Sequence, residues 1–483
     1  MERVPPRVTR PRPWRVGLGL AALLVVALLL GLRKGPKPGA KPVGRAYRVA
    51  SCEFRWTTIL PVTDSRALGY SNTSRFVVDA GGAGWIAVRS KQTRQYSICL
   101  VHAAPPWGSG MSVAQTWIED RDSLKLSGAP QRVAAIAAAP DGSIHMAWYG
   151  GTASAPDHQI RFARFVNGER PRIDDERMPF RVPGFEAVAA NAKTPIELWQ
   201  EHAAIAVGPD GTTHLAWEAR DPFRLTADGT PRPAIAYATR SRDGVWSVSG
   251  LLDRPPYLQL NDVYPSQSRP SILVDNTRTV HVLCYGSVGG VQQILHGTTS
   301  GNDFSGWKPV AASAGDQRHP AAALDAKGRL HVAWRERVGS GSSSLSVAVF
   351  YTVREPDGRW AKPTRLTPAD ENASTPAVGV TDSSVCVAWV AWKPGAVNTE
   401  DQVDNDFPAD NSTVEGRVEV TSSALGVARF DPPTVLEEGP ASYPCWAIGP
   451  SHGAARPALV WTSVDTTADP ARRVSMKLGW CEH

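Results

Sequence analysis

The chain has 483 residues, 42% hydrophobic and 20% charged, with Gly 42, Pro 40, Trp 17 and a formal net charge of +6. Residues 1–45 hold ten Lys or Arg against Glu2 alone, which leaves 42 basic and 45 acidic residues for everything that follows. The basic balance therefore sits on the N-terminal flank, which argues against a nucleic-acid surface on the body of the chain; the abundance of turn formers and Trp points to many short strands.

Residues 1–15 carry five Arg and read as a cytoplasmic basic segment. Residues 16–32 are seventeen uncharged residues, near the lower limit for a bilayer-spanning helix. Five basic residues lie on each side, so the positive-inside comparison is nearly balanced. Arg33-Lys34-Gly35-Pro36 offers no small-x-small cleavage site. The reading is an uncleaved signal-anchor, with a cleaved signal peptide as the alternative. A Pro/Gly/Lys linker at 33–45 would hold the remainder outside the cytoplasm, in the periplasm or at the cell surface.

From residue 46 onward one phrase recurs: Asp141-Gly142-x-x-His145-x-Ala147-Trp148, then Asp210-Gly211-x-x-His214-x-Ala216-Trp217. Weaker copies stand at His281-x-x-Cys284-Tyr285, Gly328-x-x-His331-x-Ala333-Trp334 and Cys386-x-Ala388-Trp389. The steps of 69, 67, 50 and 55 residues define a repeat of propeller-blade size. The copy at 320–366 resolves into strands 320–325, 329–335, 345–354 and 360–366, four antiparallel strands with a small-residue first strand. Blades begin near Arg75, Arg132, His202, Arg269, His319, Thr375 and Tyr443. The fold class is thus an all-β seven-bladed propeller, with six blades as the alternative, occupying 46–483 after one transmembrane helix. The four repeated His occupy equivalent positions in different blades, so they read as packing residues and not as one ligand set.

The last blade runs out after its third strand, 473–480. Residues 55–62 resemble a fourth strand and would close the ring, removing an open edge. Cys481 and Cys52 would then be neighbours, and a disulfide between them is expected in an oxidising compartment. Cys99, Cys284, Cys386 and Cys445 read as buried free thiols.

The turns Ser241-Arg242-Asp243-Gly244-Val245-Trp246, Asn302-Asp303-Phe304-Ser305-Gly306-Trp307 and Pro356-Asp357-Gly358-Arg359-Trp360 resemble the Asp-box of sialidase-like (BNR-repeat) propellers. The resemblance spans 50–483 and implies a glycan-related propeller. Asp-boxes are structural, so it does not fix an activity. Sialidases usually have six blades; seven is closer to some propeller-type polysaccharide lyases.

Counting nine residues back from Gly211, Arg278 and Gly328 reaches His202, Arg269 and His319, with Arg132 and Arg75 one or two positions off. A ring of Arg and His at the channel mouth suits a carboxylate or sulfate, much as the sialidase resemblance implies an Arg cluster. That resemblance also implies a Tyr nucleophile paired with Glu and an Asp acid/base, for which Tyr264, Asp262, Glu218 and Asp221 are candidates. A lyase would need a His or Tyr base near a cation, which His202 and Tyr264 offer. Phe180-Arg181-Val182-Pro183 resembles a sialidase motif but falls at a blade end and reads as chance. The acidic stretch 393–415 reads as a solvated loop, with calcium as its alternative. No cofactor and no metal is expected. The function read from sequence is binding of an acidic glycan or a protein partner by a monomeric membrane-anchored propeller, with a glycan-active enzyme as the alternative.

Overall fold

In the six repeats whose turn is described, the first strand ends in a side-chain-capped turn. Asp325 Oδ1 accepts from the amides of Lys327 and Arg329, both at 2.9 Å. Asp275 does the same for Thr277 and Thr279, and Asp79 for Gly81 and Ala83. The turns need a positive φ at one position, filled by Gly82, Gly142, Gly211 and Gly328 and, in one repeat, by Arg278 at φ 69°.

The structure is a computed structural model that describes residues 47–49, 52–62, 68, 74–91, 96–108, 111–117, 131–152, 155–166, 176–177, 200–225, 229, 231–247, 250–251, 268–300, 303–338, 346–392, 416–427, 429–439, 441–447, 457–465, 467 and 474–482. They form seven antiparallel sheets, each ordered from an inner first strand to an outer fourth. The first two strands are Phe76–Val78 and Gly84–Lys91 in blade one, Gln131–Ala138 and Ile144–Thr152 in blade two, and Glu201–Val207 and Thr213–Leu225 in blade three. Those of blades four to six are Ser268–Val274 and Val280–Val288, Gln317–Leu324 and Leu330–Val338, and Asn372–Val380 and Ser384–Trp392. Blade seven combines Ala441–Trp446, Ala458–Val464 and Val474–Glu482 with the N-terminal strand Cys52–Pro61.

The hydrophobic core is divided among the contacts between blades. Seven buried clusters occur, and each joins residues of two consecutive blades. An open row of seven blades has only six such contacts. The seventh joins blade seven (Tyr443, Val460, Met476) to blade one (Phe76, Ile86, Val88) and closes the ring. Trp148, Trp217, Trp334, Trp389 and Trp461 are fully buried at the equivalent second-strand position. The expected turn Trp residues also pack backward: Trp246 meets Phe162 of blade two edge-on at 5.3 Å, and Trp360 meets His296 of blade four at 5.6 Å.

Two details differ from the sequence reading. The fourth strand of blade five is only Thr364–Arg365, with Trp360 held by one bridge to Arg354; Pro363 has no N–H for the ladder. Blade seven gains a fifth strand, Tyr47–Val49, outside the closing one. The four cysteines expected as free thiols are free and buried. No helix among the described residues is long and apolar enough to cross a membrane; residues 1–45 and the acidic stretch 393–415 lie outside the described residues.

Candidate functional site

The repeated His residues are consumed by packing. His145 shares hydrogen bonds with Ser143 (3.0 Å) and Thr213 of the next blade (2.7 Å). His214 and His331 bond Tyr237 and Tyr351, both at 2.6 Å, and His281 bonds His296 at 3.1 Å. Burial pushes His145 and His214 down to about 4, so both are neutral at ordinary pH.

The residues found by counting back from the turns form a distinct set. His202, Arg269, His319, Thr375 and Tyr443 have φ of 50°, 52°, 54°, 49° and 52°, a left-handed conformation that L-residues with a Cβ seldom adopt. Each lies at a β-bulge in the first strand of its blade, where two residues face one on the second strand. Pro follows in four of the five (Pro270, Pro320, Pro376, Pro444), where the bulge requires no ladder N–H. Five copies of one strained geometry mark a position that the architecture imposes.

Three of these five bulge residues meet the preceding blade four residues beyond that blade's repeated His, two through the side chain and one through the backbone amide. His202 packs edge-on against Tyr149 at 5.8 Å, and His319 against Tyr285 at 6.0 Å. Between them, the Arg269 amide points at Glu218 at 3.4 Å. Three consecutive clefts therefore carry Tyr–His, Glu–Arg and Tyr–His at one level of the ring. Arg335 holds the same second-strand position in blade five and is 1% exposed.

Glu218 is the electrostatic centre of the set. Burial pushes its carboxyl up, but the His202 imidazole at 3.4 Å, together with Arg220 and Arg269, outweighs burial and leaves it below its ordinary value. Arg220 Nη2 stands 3.9 Å from its other oxygen. The site can thus hold charge of either sign at fixed places and offers imidazole and phenol groups for hydrogen bonding or proton transfer.

The other predicted residues are distributed as follows. Asp221 is fully buried but lies an odd number of residues from Glu218 on a regular stretch of strand, so it faces the opposite side of the sheet and cannot act with it. Arg75 aligns two positions beyond the bulge register and lies beside Cys445 of blade seven, so it belongs to the closing interface rather than to blades three to five. Arg132 pairs with Tyr149 at the position just before its bulge; its side chain is outside the described residues. Tyr264, Asp262 and the 180–183 motif are outside them as well. Sequence reasoning missed Tyr149, Tyr285 and Arg335. The available signal was their offset from the repeated phrase, four residues beyond its His.

The described residues define a seven-bladed propeller in which buried His202, Arg269 and His319 recur at one first-strand position of blades three to five. No family model matches the chain and no curated protein is similar to it. Among solved structures it is similar to the polysaccharide lyase Uly1, at 9% identity and TM-score 0.52, over 86% of this chain and 92% of that one. More distant likenesses are a PL25 ulvan lyase (11%, TM-score 0.49, 87% and 94%) and a Hadza microbial sialidase (10%, TM-score 0.42, 81% and 73%). At these identities the likeness is one of fold. These neighbours are glycan-active enzymes; the Asp-box family itself is not among what the comparisons establish.

Proposed function

We propose that this chain is an extracytoplasmic propeller, held at a membrane by residues 16–32, that binds an acidic glycan at the rim of blades three to five. The observation that carries the reading is the recurrence of His202, Arg269 and His319, in consecutive blades, at one strained backbone position. The architecture imposes that position in five blades, and only these three consecutive blades fill it with Arg or His. A sugar carboxylate or sulfate meets planar Arg and imidazole donors there. The protein acts as a monomer and without a nucleic-acid partner in this reading. A Cys52–Cys481 disulfide would secure the ring; the strand register sets Phe54 opposite Cys481, with Cys52 two residues along on the same face of the strand.

A second reading is favoured by the two Tyr–His pairs. An enzyme that eliminates across a uronate needs a base, an acid and a cation to neutralise the carboxylate. Tyr149, His202 and Arg269 supply these group types in neighbouring clefts.

The test is titration of the full chain, in detergent, with a uronate polymer, a sulfated polymer and neutral arabinan. Saturable binding of an acidic polymer, lost in Arg269→Ala and absent for arabinan, is expected. Equal affinity for arabinan, or an Arg269→Ala protein that binds as the parent does, overturns the proposal. Appearance of the ultraviolet absorbance of an unsaturated product during the titration promotes the second reading.

A further inference from the structure

Glu201 and Glu218 are directly opposite each other across the first two strands of blade three. Like charges so placed repel, and the arrangement survives only with a compensating positive charge. The bulge immediately after Glu201 takes His202 out of the strand's alternation, and its Nδ1 comes to 3.9 Å from Glu201 and 3.4 Å from Glu218. One ligand atom from each residue lies within 4.8 Å of the other two. His202 and Glu218 are buried and Glu201 half-buried, so the three donors are fixed by the fold and not gathered from mobile surface chains. Among the described residues no other set of three His, Cys, Asp or Glu side chains converges in this way.

The same register position recurs with other chemistry elsewhere. Ser268 faces Tyr285 in blade four, Ser374 faces Val390 in blade six, and Ser442 faces Thr462 in blade seven. The paired carboxylates are thus not a requirement of the blade fold. Arg220 and Arg269 lie near Glu218 and answer part of its charge. An Arg cannot be a metal ligand, so neither adds to the three donors.

We propose that Glu201, His202 and Glu218 form a three-ligand site for a divalent transition cation of the Zn2+ or Mn2+ class, one imidazole nitrogen and two carboxylates completed by solvent or ligand oxygen. Metal–ligand bonds of about 2.0–2.2 Å need ligand atoms somewhat over 3 Å apart, so only small side-chain movements separate these donors from coordination. The Tyr149 ring against His202 and the Arg269 amide against Glu218 hold the two buried ligands in orientation, as outer partners do at metal sites. The site does not depend on the glycan reading: an ion would bind whether or not a sugar does.

The experiment is equilibrium dialysis of the full chain against Zn2+ and, separately, Mn2+, with bound metal counted and Co2+ used as a spectroscopic probe. The parent protein and the variants Glu201→Gln, His202→Gln, Glu218→Gln and, as a control at a packing His, His281→Gln are compared. One ion bound by parent and control, with at least tenfold weaker binding in Glu201→Gln and His202→Gln, is expected. A Co2+ absorption spectrum of low coordination number should vanish in the same variants. Glu201 is less buried than Glu218, so its variant tests the site even if Glu218→Gln fails to fold. No ion taken up by the parent, or uptake unchanged in Glu201→Gln, overturns the site. Glycan binding lost while ion binding persists would count against the proposed function alone.

Discussion

Arg318 and Arg335 stand directly opposite each other in blade five, at the register positions that Glu201 and Glu218 occupy in blade three. The rim therefore carries paired anions in one blade and paired cations two blades further on. Asp316 grips Arg318 through two bonds of 2.9 and 3.1 Å, while Arg335 is buried beside the strand that carries His319. An anionic sugar group bound there would add to the compensation that Asp316 already gives Arg318. Arg335→Gln should lower the affinity for a uronate polymer by about tenfold to a hundredfold, the range expected for one charged hydrogen bond. Thermal stability should fall as well, because a buried guanidinium is removed from its partners. Calorimetric titration alongside a melting curve separates these effects; unchanged affinity would place the anion elsewhere.

The repeated phrase made the architecture legible because a propeller blade cannot vary its second strand freely. Trp334 and its equivalents fill one interblade site, and the small first strand must fit the crowded centre. Counting back from the turn also reached the bulge, since the intervening strand has fixed length in blades three to five. It failed at Arg75, which aligns two positions beyond the bulge register. The partners Tyr149, Tyr285 and Arg335 were harder to find. Along one strand they are ordinary alternating residues, and only the neighbouring blade's bulge gives them meaning. Asp221 shows the opposite failure: it is near Glu218 in sequence yet on the other face.

Acid should destabilise the propeller through its packing His residues. His145 and His214 have an unfolded value near 6.5 and are held at about 4 in the fold, chiefly by burial. Between those values the unfolded chain binds more protons than the native one, so stability falls as pH drops from about 6.5 to about 4, then stops responding to these two groups. Each contributes on the order of 3 kcal/mol to that loss. Urea unfolding at several pH values should show the slope, and it should be shallower in His214→Gln. An identical slope in that variant would mean other groups drive the acid response.

The buried indoles do more than fill space. Trp334 Nε1 donates to Glu336 and Trp389 Nε1 to Glu419, both at 3.0 Å. Trp334→Ala should cost about 3–5 kcal/mol through the cavity it leaves. Trp334→Phe keeps most of the volume but removes a donor from the buried Glu336, so about 1–3 kcal/mol is expected from that group. If Phe costs as much as Ala, the hydrogen bond outweighs the packing. Denaturant midpoints of both variants decide this.

Ring closure depends on a ring-on-backbone contact that a single methyl group would break. Phe54 of the N-terminal strand is fully buried opposite Cys481 and lies edge-on to Trp446 at 6.3 Å. Its ring covers Gly479, where an added Cβ would come within 2.4 Å of it. Gly297 in blade four is covered by Phe304 at the same 2.4 Å. Gly479→Ala and Gly297→Ala therefore impose similar local overpacking, about 1–3 kcal/mol, on two differently connected strands. Phe304 follows its partner strand directly in sequence, whereas Phe54 belongs to a strand from the far end of the chain that joins its blade only by pairing and packing. Gly479→Ala should loosen the N-terminal strand and make residues 52–61 sensitive to limited proteolysis under native conditions. Gly297→Ala should lower stability without that sensitivity. Protection of 52–61 in Gly479→Ala equal to that in the parent would show that the closing strand is held by its ladder rather than by Phe54.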